Sequence, residues 1–208
     1  MEPIATSAQP CAALQPRTPP ASLLTLPREL RDIILDFLIL KPKNTITMLP
    51  NFNCHTNEVS ARAPAICAVS KQLRSEALPA FYANNTFLAQ LDNDEDLETA
   101  KHWLSAIGDE NIAHLRRLAM CGWTRVPFGH MVSRRWVTVV LDLKLGTMEL
   151  ESLEGKYGID EVVDGIRGTM DELEVAYRDV VKAKDGKAFD GESLSDLMSG
   201  FNLLCTGY

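Results

Sequence analysis

The first strong hydrophobic pattern in the chain follows Pro27 and predicts an amphipathic helix. Proline suits the first turn of a helix, because its φ angle is preset and its missing N–H would have no partner there. The positions that then follow the i, i+3, i+4, i+7, i+8 spacing of one buried face are Leu30, Ile33, Ile34, Phe37 and Leu38. Leu35 and Ile39 are also apolar and lie to one side of that stripe. The helix therefore has a predicted core face and a second apolar face, which another layer or a partner must cover.

Downstream, helical and strand-like patterns follow one another. A second helix begins at Ala65, and Pro79 is expected to kink or restart it. The further predicted elements are a possible strand at 45–49, strands at 86–89 and 115–121, a helix ending at Gly108, a hairpin of 135–143 with 148–151, a long helix from Asp160 and a last helix at 194–204. Helices followed by a small mixed sheet with a hairpin, and then by C-terminal helices, predict an α+β fold.

Two segments of the helical N-terminal part resemble a known family. Residues 26–31 read Leu-Pro-Arg-Glu-Leu-Arg, and residues 74–82 read Arg-Ser-Glu-Ala-Leu-Pro-Ala-Phe-Tyr. Both pieces, in this order, resemble the fungal F-box-like proteins, and the likeness covers about residues 23–90. The resemblance implies three regions: a disordered proline-rich tail at 1–22, an F-box-like region at 23–90 with an insert at 41–64, and a partner-binding α+β region at 91–208.

The resemblance also implies a non-catalytic function. In F-box proteins the first helix inserts its apolar side into the Skp adaptor of a cullin–RING ubiquitin ligase, and the rest of the chain binds a protein substrate. Carried over to this sequence, the adaptor-binding residues are Leu26, Pro27, Ile33, Ile34, Phe37 and Leu38. The insert of 24 residues between the two helices is a departure from the family, whose helices are joined far more tightly. It leaves open an F-box-like scaffold that does not bind the adaptor.

Charge is distributed unevenly along the chain. The net charge is −7, which makes nucleic-acid binding by bulk charge unfavourable. Residues 111–141 nevertheless contain no acid and five arginines, namely Arg116, Arg117, Arg125, Arg134 and Arg135. This stretch either docks a phosphate or an acidic peptide, or faces the acidic C-terminal third of the same molecule. A phosphate or nucleic-acid binder acting through residues 116–135 is a further alternative, with steep salt dependence as its signature.

Tryptophan and arginine anchor many interfaces, and this stretch contains both. Trp123 lies close to Arg125 in sequence, and Trp136 lies on the less apolar face of the predicted hairpin strand. The predicted partner-binding surface consists of Trp123, Arg125, Arg134, Arg135 and Trp136.

Motifs for catalysis or cofactor binding are not found in the sequence. The four histidines are scattered without metal-ligand spacing, and neither a phosphate-binding loop nor a nucleophile elbow is present. We therefore expect no enzymatic activity, metal or cofactor. Five irregularly spaced cysteines favour a reducing compartment, the cytosol or nucleus, and Cys121 is expected to be a structural thiol. The longest apolar stretch falls far short of the ~20 residues that span a bilayer, and no secretory signal is predicted.

Overall fold

The computed structural model describes residues 22–40, 45–48, 59–128, 130–154, 159–184, 186 and 188–207. Its helices are α1 (Arg28–Ile39), α2 (Lys71–Asn84), α3 (Asp94–Ile107), α4 (Asp109–Ile112), α5 (Ile159–Lys184) and α6 (Gly191–Thr206). Its strands are β1 (Thr45–Thr47), β2 (Val59–Ser60), β3 (Thr86–Gln90), β4 (Arg117–Phe128), β5 (Met131–Asp142) and β6 (Thr147–Glu154). The α+β prediction is confirmed. The predicted tail lies outside the described residues, apart from Ser22.

One mixed sheet organises these elements, in the order β2-β1-β3-β4-β5-β6. The neighbours from β2 to β4 are parallel, and β4, β5 and β6 form an antiparallel meander. β1 and β2 both come from the insert at 41–64, and β1 pairs with β3. The sheet therefore continues across residue 90, from the N-terminal segment 23–90 into the rest of the chain.

Two consecutive rows of aligned residues, each running across the strands, show why the helices cover only one face of this sheet. One row is apolar, and its aligned members are Ile46, Phe87, Leu118, Leu141 and Met148. The adjacent row is polar and consists of Thr45, Thr86, Arg117, Asp142 and Thr147. Because side chains alternate between the two faces of a strand, these rows lie on opposite faces. Helices α3, α5 and α6 pack on the apolar one.

The long helix predicted from Asp160 is α5, and it packs over the meander as expected. Met170, Leu173 and Tyr177 are buried, and the Tyr177 hydroxyl donates to the Asp142 carbonyl at 3.0 Å. Burial raises the pKa of Tyr177 to about 12, so that hydroxyl keeps its proton. Trp103 of α3 also belongs to the core region, where its indole N–H donates to the Ala61 carbonyl at 2.9 Å.

The structure reverses the predicted burial of α1. The smaller apolar stripe is the inner one, because Leu35 and Ile39 are buried in the core. The larger stripe, predicted as the core face, is exposed; it comprises Leu30, Ile33, Ile34, Phe37 and Leu38. Periodicity predicts both stripes equally well, and the buried one is the stripe that faces the rest of the fold, where α1 packs against α2.

Three further predictions need correction. Pro79 does not interrupt α2, which runs from Lys71 to Asn84 with the proline inside it. The segment at 65–68 is instead a separate 3₁₀ turn, and α2 begins after Ser70, whose hydroxyl accepts from the Leu73 amide at 3.1 Å. The strand predicted at 115–121 is much longer than expected, because β4 continues to Phe128 and pairs with β5 along its whole length.

Candidate functional site

The exposed stripe of α1 forms the first candidate surface, which we call the α1 face. Its members are Leu30, Ile33, Ile34, Phe37 and Leu38, and Phe37 is 85% exposed. Single exposed apolar residues are common, but a contiguous apolar surface on a monomer marks an interaction site. Four of the six predicted adaptor-binding residues lie on this face. The other two, Leu26 and Pro27, lie at the N-terminal end of the helix.

A buried ion pair couples α1 to α2. The Arg31 guanidinium donates to Glu76 through Nε at 2.9 Å and through Nη2 at 2.6 Å, and Nη1 donates to the Leu26 carbonyl at 2.6 Å. Glu76 also accepts from the Gln72 side chain at 3.1 Å. Hydrogen bonds from Arg31, and then from Gln72, lower the pKa of Glu76 to about 2. The two helices therefore have a fixed relation despite the 24-residue insert between them.

The Arg31–Glu76 pair was not predicted, although the sequence contains a signal for it. Arg31 lies four residues before Leu35 and eight before Ile39, on the same side of the helix. A charged residue on a buried stripe needs a partner, since burying an unpaired charge is costly. The signal is weak in the sequence, because the larger apolar stripe on the other side of the helix looks more like a core face than the side of Leu35 and Ile39 does.

The second candidate surface lies where β4 extends past β3. Trp123, Arg125 and Arg134 line one side of a pocket of about 370 Å³, and Asp92, Cys205 and Thr206 line the other. Arg125 and Arg134 are directly opposite each other on β4 and β5, and both are exposed. Three of the five predicted partner-binding residues thus meet in this pocket, which we call the edge pocket.

The other two predicted partner-binding residues lie elsewhere. Arg135 is only 3% exposed and lies on the helix-covered face, as does Val137 two positions on. It therefore does not belong to the exposed surface, because consecutive strand residues face opposite sides. Trp136 shares the face of Trp123, and their rings make an edge-to-face contact at 5.4 Å. It is half-buried and lines a separate groove of about 440 Å³ on the polar face of the sheet.

The two remaining arginines of this stretch, Arg116 and Arg117, differ in whether they contact the acidic C-terminal third of the chain. Arg116 does so, because its Nε lies 3.4 Å from Asp142 Oδ2. Although burial opposes the charge, the Leu145 and Lys144 amides together with Arg116 lower the pKa of Asp142. Arg117 is exposed, and its side chain forms no ion pair within the described residues. The stretch is therefore divided, with only part of its charge neutralised inside the molecule.

The thiols in the described part of the chain are buried. The side chains of Cys67, Cys121 and Cys205 are thiols that are almost inaccessible to solvent. Burial, aided by the charge of Asp92, raises the pKa of Cys205 to about 12, which leaves it protonated and unreactive at neutral pH. Cys11 and Cys54 lie outside the described residues.

The described residues offer neither a metal site nor a membrane-spanning helix. Within the described ranges, no group of three or more histidine, cysteine or acidic side chains could hold a metal ion. In the same ranges, no helix is both long and apolar enough to cross a membrane.

Comparison with known proteins finds no relative of this chain. No family model, no curated protein and no solved structure matches the chain. The α1 face and the edge pocket are therefore the two surfaces of the molecule that bear on its function.

Proposed function

We propose that the chain is a non-catalytic F-box-type substrate adaptor, in which the α1 face docks on the Skp-type adaptor of a cullin–RING ligase. The observation that carries the proposal is the orientation of α1, whose larger apolar stripe faces outward while Leu35 and Ile39 hold the helix in the core. An intracellular location, cytosolic or nuclear, follows from this function.

The coupling of α1 to α2 supports the same proposal. An adaptor that contacts both helices needs them in one fixed arrangement, and the Arg31–Glu76 pair provides it. The insert does not separate the two helices in space, because its strands β1 and β2 extend the edge of the sheet. The family resemblance at 26–31 and 74–82 covers these same helices.

Co-purification with the Skp adaptor from a eukaryotic host tests this function. The test variant is I33D/F37D, which places two carboxylates on the α1 face at exposed positions and so leaves the core intact. We expect a loss of adaptor binding of well over tenfold, because charged groups would be buried unpaired at the interface. The matched control is V175D/L203D, which adds the same charges at exposed apolar positions of α5 and α6 and should bind like the wild type.

Circular dichroism must show that both variants are folded. Failure of the folded wild type to bind the adaptor would replace this proposal with a scaffold that retains the F-box-like fold without the adaptor. Equal binding by the wild type and I33D/F37D would remove the α1 face from the interface.

A further inference from the structure

The outer half of β4 has an open edge. Residues 86–90 of β3 pair with residues 117–121 of β4, so the parallel ladder stops at Cys121. One more hydrogen bond follows, from the Leu91 amide to the Cys121 carbonyl at 2.8 Å. Beyond it, β4 continues to Phe128 with β5 on one side, and no described strand pairs with its other side.

The direction of the backbone groups along this edge follows from one contact. The Trp123 amide points away from β5, since it donates to Asp92 Oδ1 at 2.8 Å. Alternate residues of a strand present their N–H and C=O groups to the same side, so those of Arg125 also face the open edge. Pro127 is next in this series; it has no N–H, so it offers only its carbonyl group to an added strand.

Two guanidinium groups lie side by side next to this edge. Arg125 and Arg134 lie directly opposite each other, an arrangement that is unfavourable for like charges. Neither guanidinium forms an ion pair or hydrogen bond within the described residues. Asp92, the carboxylate of the edge pocket, is engaged elsewhere: its two oxygens accept from the Trp123 amide and from the Gln90 side chain at 2.6 Å.

We propose that the open edge of β4 binds an extended acidic segment of a partner protein as an added strand. The backbone of the segment pairs with Arg125, its carboxylates reach the two guanidinium groups, and a neighbouring apolar side chain packs on Trp123, which is 44% exposed. This chain is acidic overall, so it attracts such a segment only at a local concentration of positive charge. The inference deepens the proposed function, because it names the class of segment by which a substrate would be bound. It rests on that function only for what happens next, namely the delivery of the bound partner to the ligase.

Fluorescence anisotropy with a labelled peptide of alternating glutamate and valine tests the inference on the full chain. About eight residues suffice, since at ~3.3 Å per residue they span the outer half of β4. R125Q and R134Q should each weaken binding about tenfold, as expected for a lost charge-assisted contact. R117Q is the matched control, because it removes the same charge from the part of β4 that β3 covers, and it should bind like the wild type.

Two altered peptides separate strand addition from simple charge attraction. A lysine–valine peptide should not bind. A glutamate–valine peptide N-methylated at alternate residues keeps its charge but loses the amides along one edge, and it should bind about tenfold more weakly than the unmodified peptide. Equal binding of the methylated peptide, or equal binding by R125Q and R117Q, would overturn strand addition at this edge.

Further outcomes distinguish the other possible occupants and the proposed function. A single-stranded oligonucleotide of equal charge that displaces the peptide at lower concentration would assign the edge pocket to nucleic acid instead. I33D/F37D should bind the peptide like the wild type, which shows that the edge acts independently of the α1 face. A wild type that binds the Skp adaptor but not the peptide overturns this inference alone, and the reverse result overturns the adaptor function alone.

Discussion

Arg31 and Glu76 are separated by 45 positions in the sequence, yet two hydrogen bonds of 2.9 and 2.6 Å join their side chains in a partly buried contact. The pair determines how α1 is held, and the α1 face is the surface on which the proposed function depends. Predictions about this contact therefore bear on both stability and binding.

Replacing Glu76 by glutamine should lower the urea midpoint of unfolding, because Arg31 would keep its charge in a buried place without a counter-charge. The carboxylate has a lowered pKa in the folded state, so its contribution to stability is complete above its ordinary value of 4.5 and is lost as the pH falls towards about 2. The difference between wild type and E76Q should therefore shrink over that range. E98Q, which removes one partner of an exposed pair with Lys101, is the control and should show no such change.

Truncating a side chain to alanine should destabilise the protein on the buried side of α1 but hardly at all on its exposed side. Leu35→Ala should cost about 2–5 kcal/mol of unfolding free energy, because it leaves a cavity in the core. Phe37→Ala should change that free energy by less than about 0.5 kcal/mol, since the ring is exposed. Chemical denaturation measures both. A large loss of stability in F37A would mean that the ring packs within the molecule.

Gly122→Ala should destabilise the protein by about 1–3 kcal/mol, the usual range for overpacking. A Cβ at this position would lie 2.7 Å from Cys205 Sγ and 3.1 Å from Asp92 Oδ1. Adding Cys205→Ala should recover part of the loss, since it removes the closer atom, and the coupling is measured with a double-mutant cycle. Gly168→Ala in α5 is the control, because a Cβ there meets nothing within 4 Å and alanine favours a helix by up to ~1 kcal/mol.

Cys205 should resist alkylation in the native protein at neutral pH. Its thiol is buried and its pKa is raised to about 12, so almost no thiolate is available to react. Mass spectrometry after treatment with iodoacetamide should find this position unmodified until urea unfolds the chain. Rapid native labelling would show that α6 separates readily from β4.

The limits of sequence prediction are clearest in α1 and β4. The helix pattern predicted α1 itself, but the two apolar stripes alone did not show which one is buried. Arg31, on the side of Leu35 and Ile39, was a signal for it, but its partner Glu76 lies 45 positions away in the sequence. The inner half of β4 was predicted because it contains a short apolar run, Leu118 to Cys121. Its outer half was missed, because Gly122, Arg125 and Pro127 do not favour a strand on their own; the conformation there comes from pairing with β5.

The insert strands show the same dependence on tertiary context. A possible strand at 45–49 was predicted and β1 lies within it, but β2 has two residues and no periodicity of its own. Such strands form because a neighbouring edge offers hydrogen bonds, in this case β3 for β1 and then β1 for β2. The edge pocket could be anticipated only in part. Its arginines and Trp123 stand out in the sequence, whereas Asp92 and Cys205 come from distant segments.

The change from antiparallel to parallel pairing at β4 has a consequence for the order of folding. β4, β5 and β6 are joined by short turns, so their antiparallel pairs can form locally. The parallel pairs of β1 with β3 and of β3 with β4 require the closure of long loops, and they therefore form more slowly. We expect the meander to form the early folding nucleus. The N-terminal half would fold last, when Leu35 and Ile39 of α1 pack into the core. A nascent or stalled chain would then lack a rigid α1 face, and a partner that docks on this face would bind fully folded molecules only.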